Sequence, residues 1–364
     1  LCGQEWIHDS FYEYGAKTDF ALVEGVMGLF DGKGSTDQGS SADIAKKLQL
    51  PIVLIVDAHG QAASIAALIK GFRDQDPNLT VKGVVLNNVN SKRHKELLKE
   101  VLDSIEIKLL GCLPTTETLR LKSRHLGLVP AHEIKDIERR KENWAKIAEL
   151  NLDLKTFEEL LKSPQNSKYL ISERIDTLKN ISTNKKIPIA LAEDKAFHFR
   201  YPETKDFLEA IGFQIITWKP TEDEPIPIFS KGVVLPGGFP EQYAEEIAQA
   251  ERSLSSLRKN YCKIPIYAEC GGMLILGKSL SDLQGTKHSM ANILPFEAIK
   301  GKMQIGYRKL ISIKDSLILK RDDQLNGHEF HYWELNTSIQ QSIEKSMPSL
   351  AKSSISVDPP WTLE

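Results

Sequence analysis

The sequence predicts an α/β protein whose first half is a doubly wound parallel sheet and whose second half is another α/β domain. Three observations carry this. Apolar runs at Ile52–Val56, Val81–Leu86 and Lys108–Leu113 are separated by segments with helical spacing. Apolar strands alternating with helices form parallel sheets buried on both faces, with ligand sites at their carboxyl ends. The alternation stops in a polar, Lys-, Glu- and Asn-rich stretch over 141–186 and restarts at Ile187-Pro-Ile-Ala-Leu191. That restart sets the expected boundary, with one domain over 1–180 and a second over 187–364.

In chain order, Phe20–Val23 reads as a strand ending at Glu24, and Ala42–Leu48 as a helix capped by Ser40 or Ser41. Ile52–Val56 reads as a fully buried strand ending at Asp57, followed by a helix from Ala62 to Phe72. Val81–Leu86 is a strand ending at Asn87, with a helix over His94–Leu102, and Lys108–Leu113 is the next strand. Helices close this domain, and a polar linker is expected around Asn180–Lys186. Beyond Ile187–Leu191 come a helix over Thr204–Ile211 and a buried strand leading into Pro236-Gly237-Gly238. The tail beyond about Ser342 is expected to be loosely ordered.

Composition bounds the function. At 364 residues the chain has room for two or three cores, and 47 Lys plus Arg against 49 Asp plus Glu argues against a nucleic-acid-binding surface. The four cysteines, Cys2, Cys112, Cys262 and Cys270, have neither metal-ligand spacing nor a disulfide framework, so a reducing cytoplasm is expected. No apolar run reaches the roughly 20 residues of a membrane helix. A homodimer is left open.

Chemistry concentrates in Ile264-Pro-Ile-Tyr-Ala-Glu-Cys-Gly-Gly-Met-Leu-Ile-Leu276. A short apolar strand ends at Glu269-Cys270, and Gly271-Gly272 opens a second apolar segment with helical spacing. A thiol on such a strand-to-helix elbow faces backbone N–H groups that favour a thiolate and an oxyanion. By itself the elbow also admits a buried structural cysteine. Upstream, Lys231-Gly-Val-Val-Leu-Pro-Gly-Gly-Phe-Pro-Glu241 ends a strand in glycines that let amides approach a ligand. Downstream, Asn326-Gly-His-Glu-Phe-His-Tyr332 supplies histidines able to serve as a base.

With these motifs in order, the second half resembles a class I glutamine amidotransferase domain of the cobyric acid synthase type. The closer resemblance is to the cobyrinic acid a,c-diamide synthase family, through Leu235-Pro-Gly-Gly-Phe-Pro-Glu241, Ala268-Glu-Cys-Gly-Gly-Met273 and Gly327-His-Glu-Phe-His-Tyr332. In the first half, Val23-Glu-Gly-Val-Met-Gly-Leu-Phe-Asp-Gly32 resembles that family's synthetase domain, of the P-loop NTPase and dethiobiotin synthetase type. Residues 81–94 and Ser123-Arg-His-Leu-Gly-Leu128 fit the same pattern.

The resemblance implies ATP-dependent amidation of the a and c carboxylates of cobyrinic acid, with glutamine as nitrogen donor and ATP and Mg²⁺ as co-substrate and cofactor. It makes Cys270 the nucleophile, His331 (rather than His328) the base, and the N–H groups of Gly238 and Gly271 the oxyanion donors. Glu329 and Glu334 could orient the imidazole. Neither stands two residues after His331, where related amidotransferases carry a third member, so none is assigned. Glu24 takes the Mg²⁺ role, Asp31 positions the corrinoid carboxylate, and Asn87 contacts adenine, although Asn88 stands where an arginine is common. Asp57 is as well read as a helix cap. Sibling amidotransferases acting on another tetrapyrrole or a cell-wall precursor, and a glutaminase-only or non-catalytic partner protein, are the alternatives.

The family also opens with a phosphate-binding loop, G-x-x-x-x-G-K-[ST]. No Gly-Lys-Ser/Thr occurs here, and Gly32-Lys33-Gly34 is the nearest approach. With Leu1 rather than methionine at its start, the sequence is expected to begin after that unit and, as it stands, to bind ATP poorly.

Overall fold

A computed structural model describes residues 2–121, 129, 131–164, 186–315 and 319–336. The chain divides into two compact units, whose described parts are residues 2–164 and 186–336. The Ser123–Leu128 string, the linker up to residue 185 and the tail beyond Ser342 lie outside the described residues.

The first unit is built on three parallel strands in the order β1 (Ile52–Asp57), β2 (Val81–Asn87) and β3 (Leu109–Cys112). Their register pairs Val56 with Leu86 and Asp57 with Asn87, so the polar ends of β1 and β2 share one edge. Helix α1 (Gln4–Gly15) precedes the sheet and carries no sequence signal that was read as a helix. Helix α2 (Ser41–Leu48) starts where expected because the Ser40 hydroxyl accepts from the Asp43 N–H at 3.1 Å. Helix α3 spans Ser64–Asp74, and α4 (Lys92–Asp103) is capped by Ser91 accepting from His94 N–H. Ile65 and Ile69 of α3, Leu98 and Leu102 of α4, and Val84 and Leu86 of β2 form one fully buried core. Burying each such side chain stabilises the fold by about 1.5–3 kcal/mol. Helices α5 (Ile137–Asn151) and α6 (Leu154–Leu160) follow.

Two expectations fail here. Phe20–Val23 forms no strand, and Phe20, Leu22 and Val23 are exposed. A strand exists only where a neighbour supplies ladder hydrogen bonds, and among the described residues the run has only one such bond, a long one of 3.4 Å from Ala21 N–H to the Lys162 carbonyl. Strand β1 is not fully buried either. Among the described residues it is an edge strand, and Ile55 is 68% exposed.

The second unit holds a four-stranded parallel sheet in the order β6 (Phe213–Trp218), β4 (Ile187–Ala192), β7 (Val233–Leu235) and β9 (Ile266–Ala268). Helix α7 (Pro202–Ala210) links β4 to β6, with proline in its first turn where the missing N–H costs nothing. A small antiparallel pair, β5 (Phe197–Phe199) and β8 (Gly237–Gly238), fixes the Pro-Gly-Gly segment by pairing Phe197 with Gly238. A second sheet, in the order β11 (Lys287–Ser289), β10 (Ser279–Ser281), β12 (Glu297–Ile311) and β13 (Gln324–Leu335), carries the histidine motif. The long antiparallel β12–β13 ladder was not anticipated. The alternation in Phe330-His-Tyr-Trp-Glu-Leu335 was its available signal. Trp218, Phe197, Leu235, Leu257 and Phe296 form the core, all below 2% exposed. Among the described residues no helix is long and apolar enough to cross a membrane.

Candidate active site

Strand β9 stops at Ala268, and the next helix runs only Gly271–Leu274, one turn rather than the longer helix the apolar spacing suggests. Between them Cys270 adopts φ 48°, ψ −125°, a backbone conformation that non-glycine residues rarely hold. Such strain persists only where the surroundings over-determine it. Here Glu269 N–H donates to the Leu235 carbonyl at 3.1 Å, and Gly272 N–H to the Glu269 carbonyl at 2.9 Å.

Glycine is required on both sides of the thiol. A Cβ on Gly238 would lie 1.9 Å from the Ala196 carbonyl oxygen, and one on Gly271 would lie 2.7 Å from the Gly238 oxygen. The two glycine segments therefore touch backbone to backbone, and the N–H groups of Gly271 and Gly238 both reach the Cys270 sulfur. Cys270 is open to solvent on one side. Protein atoms crowd the sulfur on the others, and this desolvation pushes the thiol up from its ordinary value. The Gly271 N–H pulls it down, Glu241 and Glu269 push it up, and the Gly238 N–H pulls it down again. The balance leaves a protonated thiol, which needs a base before it can attack.

Glu241 is a residue the sequence reading passed over. It is 4% exposed, and burial raises its carboxyl to about 7. Its position in the Pro-Gly-Gly-Phe-Pro-Glu string was the available signal. Tyr267 donates its hydroxyl to Glu269 at 3.0 Å, and burial with that carboxylate pushes the phenol to about 12.

The two histidines of β13 fall on opposite faces. Alternation along the strand puts His331 with Trp333, which is 6% exposed and donates its indole N–H to the Ser281 carbonyl at 2.8 Å. Trp333 packs in the same core as Leu274 and Leu276 beyond the elbow. His328 lies on the other face against Tyr307, with ring centroids 5.3 Å apart, and burial holds its imidazole below the usual range. His331 Nδ1 sits 2.8 Å from the Trp333 carbonyl oxygen, which can only accept, so Nδ1 carries the proton and Nε2 is the basic nitrogen. Among the described residues no hydrogen bond joins His331 to Cys270. Catalytic hydrogen bonds commonly tighten only when substrate binds.

In the first unit, Glu24 and Asp31 lie on one loop. Leu29 anchors it to the core, and Phe30 stacks on Phe72 at 6.2 Å. Asp31 Oδ2 accepts from the Gly28 N–H at 2.8 Å, which commits one carboxylate oxygen to holding the turn. Glu24 is exposed and, among the described residues, makes no hydrogen bond or ion pair. No group of three His, Cys, Asp or Glu side chains that could hold a metal occurs among the described residues. A lone carboxylate suits a cation such as Mg²⁺, which completes its shell with phosphate and water. Asn87 ends β2 at the carboxyl edge, where its carbonyl accepts from Ala58 N–H at 2.9 Å. Beside it, Asn88 takes φ 62° and donates to Asp57 Oδ1 at 2.9 Å, while Thr115 donates to its amide oxygen at 3.0 Å. The Asn88 amide, together with the His59 N–H, holds the Asp57 carboxyl below its ordinary value.

Comparison with known proteins follows the same division. Residues 188–349 match the CobB/CobQ-like glutamine amidotransferase domain, and residues 3–123 match an AAA domain. The chain is 37% identical to the cobyrinate a,c-diamide synthase of Caldanaerobacter subterraneus over 91% of its own length and 73% of that protein's. It is 36% identical to the Synechococcus enzyme of the same name over 94% of this chain and 75% of the other. To the hydrogenobyrinate a,c-diamide synthase of Brucella anthropi it is 37% identical over 85% of this chain and 70% of that one.

Proposed function

Because the chain belongs to the cobyrinate and hydrogenobyrinate a,c-diamide synthase family of glutamine amidotransferases, we propose that its second unit releases ammonia from glutamine and that the protein uses it, with ATP, to amidate the a and c carboxylates of a cobyrinic acid-type corrinoid. The observation that carries this reading is the strained Cys270 elbow with the Gly238 and Gly271 backbones packed against each other beside its sulfur. His331 Nε2 accepts the thiol proton, and the Cys270 sulfur attacks the carboxamide carbon of glutamine. The carbonyl oxygen gains negative charge, which the two N–H groups stabilise. As the C–N bond breaks, the imidazolium returns its proton to the departing ammonia, leaving a γ-glutamyl thioester. Water then attacks that carbon with His331 again as base, the C–S bond breaks, and glutamate leaves.

In the first unit, Glu24 would hold Mg²⁺, whose chemistry is to neutralise phosphate charge. Asp31, with one oxygen still uncommitted, orients the corrinoid carboxylate, and Asn87 faces the adenine. The test is glutamine hydrolysis by Cys270→Ala. Activity should vanish, since alanine offers no attacking atom, while ATP-dependent amidation of cobyrinic acid from free ammonia should be unaffected where the parent protein supports it. Hydrolysis near the parent rate in the variant would refute the assignment.

A further inference from the structure

One face of the β12–β13 ladder carries an ordered charge array that the proposed reaction does not yet use. The register pairs Gln304 with His331, Gly306 with Glu329 and Arg308 with Gly327, so all six positions share one face. Gly306 places no side chain over Glu329, leaving its carboxylate open to reach in both directions along the ladder. On one side Arg308 donates to Glu329 Oε1. On the other, Glu329 Oε2 lies 3.7 Å from His331 Nε2, the nitrogen left basic by the Nδ1 contact with the Trp333 carbonyl. The Arg308 and Glu329 side chains are only 15% and 32% exposed, so solvent screens this array less than it would an open ion pair.

We infer that Glu329, carried on Arg308, is the positioning residue of His331, taking the place of the carboxylate that sits two residues after the histidine in other amidotransferases. This rests on the glutaminase reading above. Two features of the chain divide the usual work of that third group. The Trp333 carbonyl selects the tautomer, as a backbone acceptor at Nδ1 must. Glu329 supplies the charge that stabilises the imidazolium once Nε2 has taken the Cys270 proton. Arg308 holds Glu329 in place along the ladder. Glu334 cannot do this, because alternation places it on the opposite face, with its carboxyl lying over Gly301.

The experiment uses residues 1–364 and two readouts. The first is the pH dependence of Cys270 alkylation by iodoacetamide, followed on the Cys270 peptide by mass spectrometry. The charged groups beside the thiol are Glu241 and Glu269; beside His331 are Glu329 and the register partner Gln304, with Arg308 beyond Glu329, so a shift specific to Glu329 is readable against fixed neighbours. Glu329→Gln should move the alkylation midpoint to higher pH and lower kcat for glutamine hydrolysis about 10- to 100-fold with KM near the parent value. Glu329→Asp should recover part of both, Arg308→Met should fall between, and Glu334→Gln should match the parent. An unchanged midpoint in Glu329→Gln would overturn the inference, even if its melting temperature falls, since that pattern marks a purely structural residue. A parent protein that hydrolyses no glutamine would defeat the proposed function, while the alkylation midpoint would still report on Glu329.

Discussion

Replacing Gly238 by alanine probes the fold and the chemistry at once. The added Cβ would meet the Ala196 carbonyl oxygen at 1.9 Å, its carbon at 2.9 Å and Phe197 Cα at 3.1 Å. These are backbone atoms of the paired strand, so no side chain can rotate away, and the two segments must part by about 1 Å or more in a close-packed interior. Parting them stretches the Phe197–Gly238 pairing and the 3.0 Å bond from Phe239 N–H to that same Ala196 oxygen. Overpacking costs about 1–3 kcal/mol and a lost hydrogen bond about 1 kcal/mol, giving about 2–4 kcal/mol together. For a unit of this size that lowers the melting temperature by about 5–15 °C. The same displacement carries the Gly238 N–H away from the Cys270 sulfur. Loss of one such donor costs on the order of 10²–10³ in rate. Differential scanning fluorimetry, with glutamine hydrolysis assayed well below the variant's transition, separates the two effects. A variant with parental melting temperature and parental rate would refute both the steric argument and the oxyanion role.

His331→Ala should slow glutamine hydrolysis by on the order of 10²-fold or more, and His328→Ala much less, because the two rings face opposite sides of β13; a larger loss in the His328 variant, measured in the same steady-state assay, would exchange their roles. Glu241 makes stability depend on pH. Its carboxyl is raised from 4.5 to about 7 when folded, so its contribution is full below about 4.5 and is lost as pH rises through about 7. Glu241→Gln should flatten that decline and leave the variant more stable than the parent at pH 8 by up to about 3 kcal/mol. Urea melts at pH 5 and pH 8 test this, and parallel curves for the two proteins would rule it out. Asp43, Asp57 and Asp282, whose carboxyls are lowered from 3.8, change stability only at more acidic pH, and His328, lowered from 6.5, contributes equally to both proteins and cancels in the comparison.

Much of the fold was legible because its signals are local. The apolar runs of β1, β2, β3 and β4 and the cap at Ser40 depend on residues within a few positions of one another, and each of these elements lies within a few residues of its expected place. The Cys270 elbow was equally legible, since a strand, a nucleophile and two glycines are contiguous. Other features are set by partners distant in sequence. Among the described residues Phe20–Val23 has a strand's composition but no strand to pair with, and Ile55 belongs to a run that reads as buried but occupies a sheet edge. Pairing is a property of two segments, so neither outcome could be read from one. The surroundings of His328 and His331 are of the same kind: strand alternation puts them on opposite faces of β13, and what each face meets is set by the β12–β13 register and not by the motif. Gly238 is required because Ala196 lies against it 42 residues earlier in the chain. The link from Arg308 through Glu329 to His331 exists because the β12–β13 register brings residues 21 apart onto one face, and no spacing in the sequence announces that register. Residue types and local spacing thus determined which groups this protein brings to its motifs, while long-range pairing and burial decided what surrounds each of them.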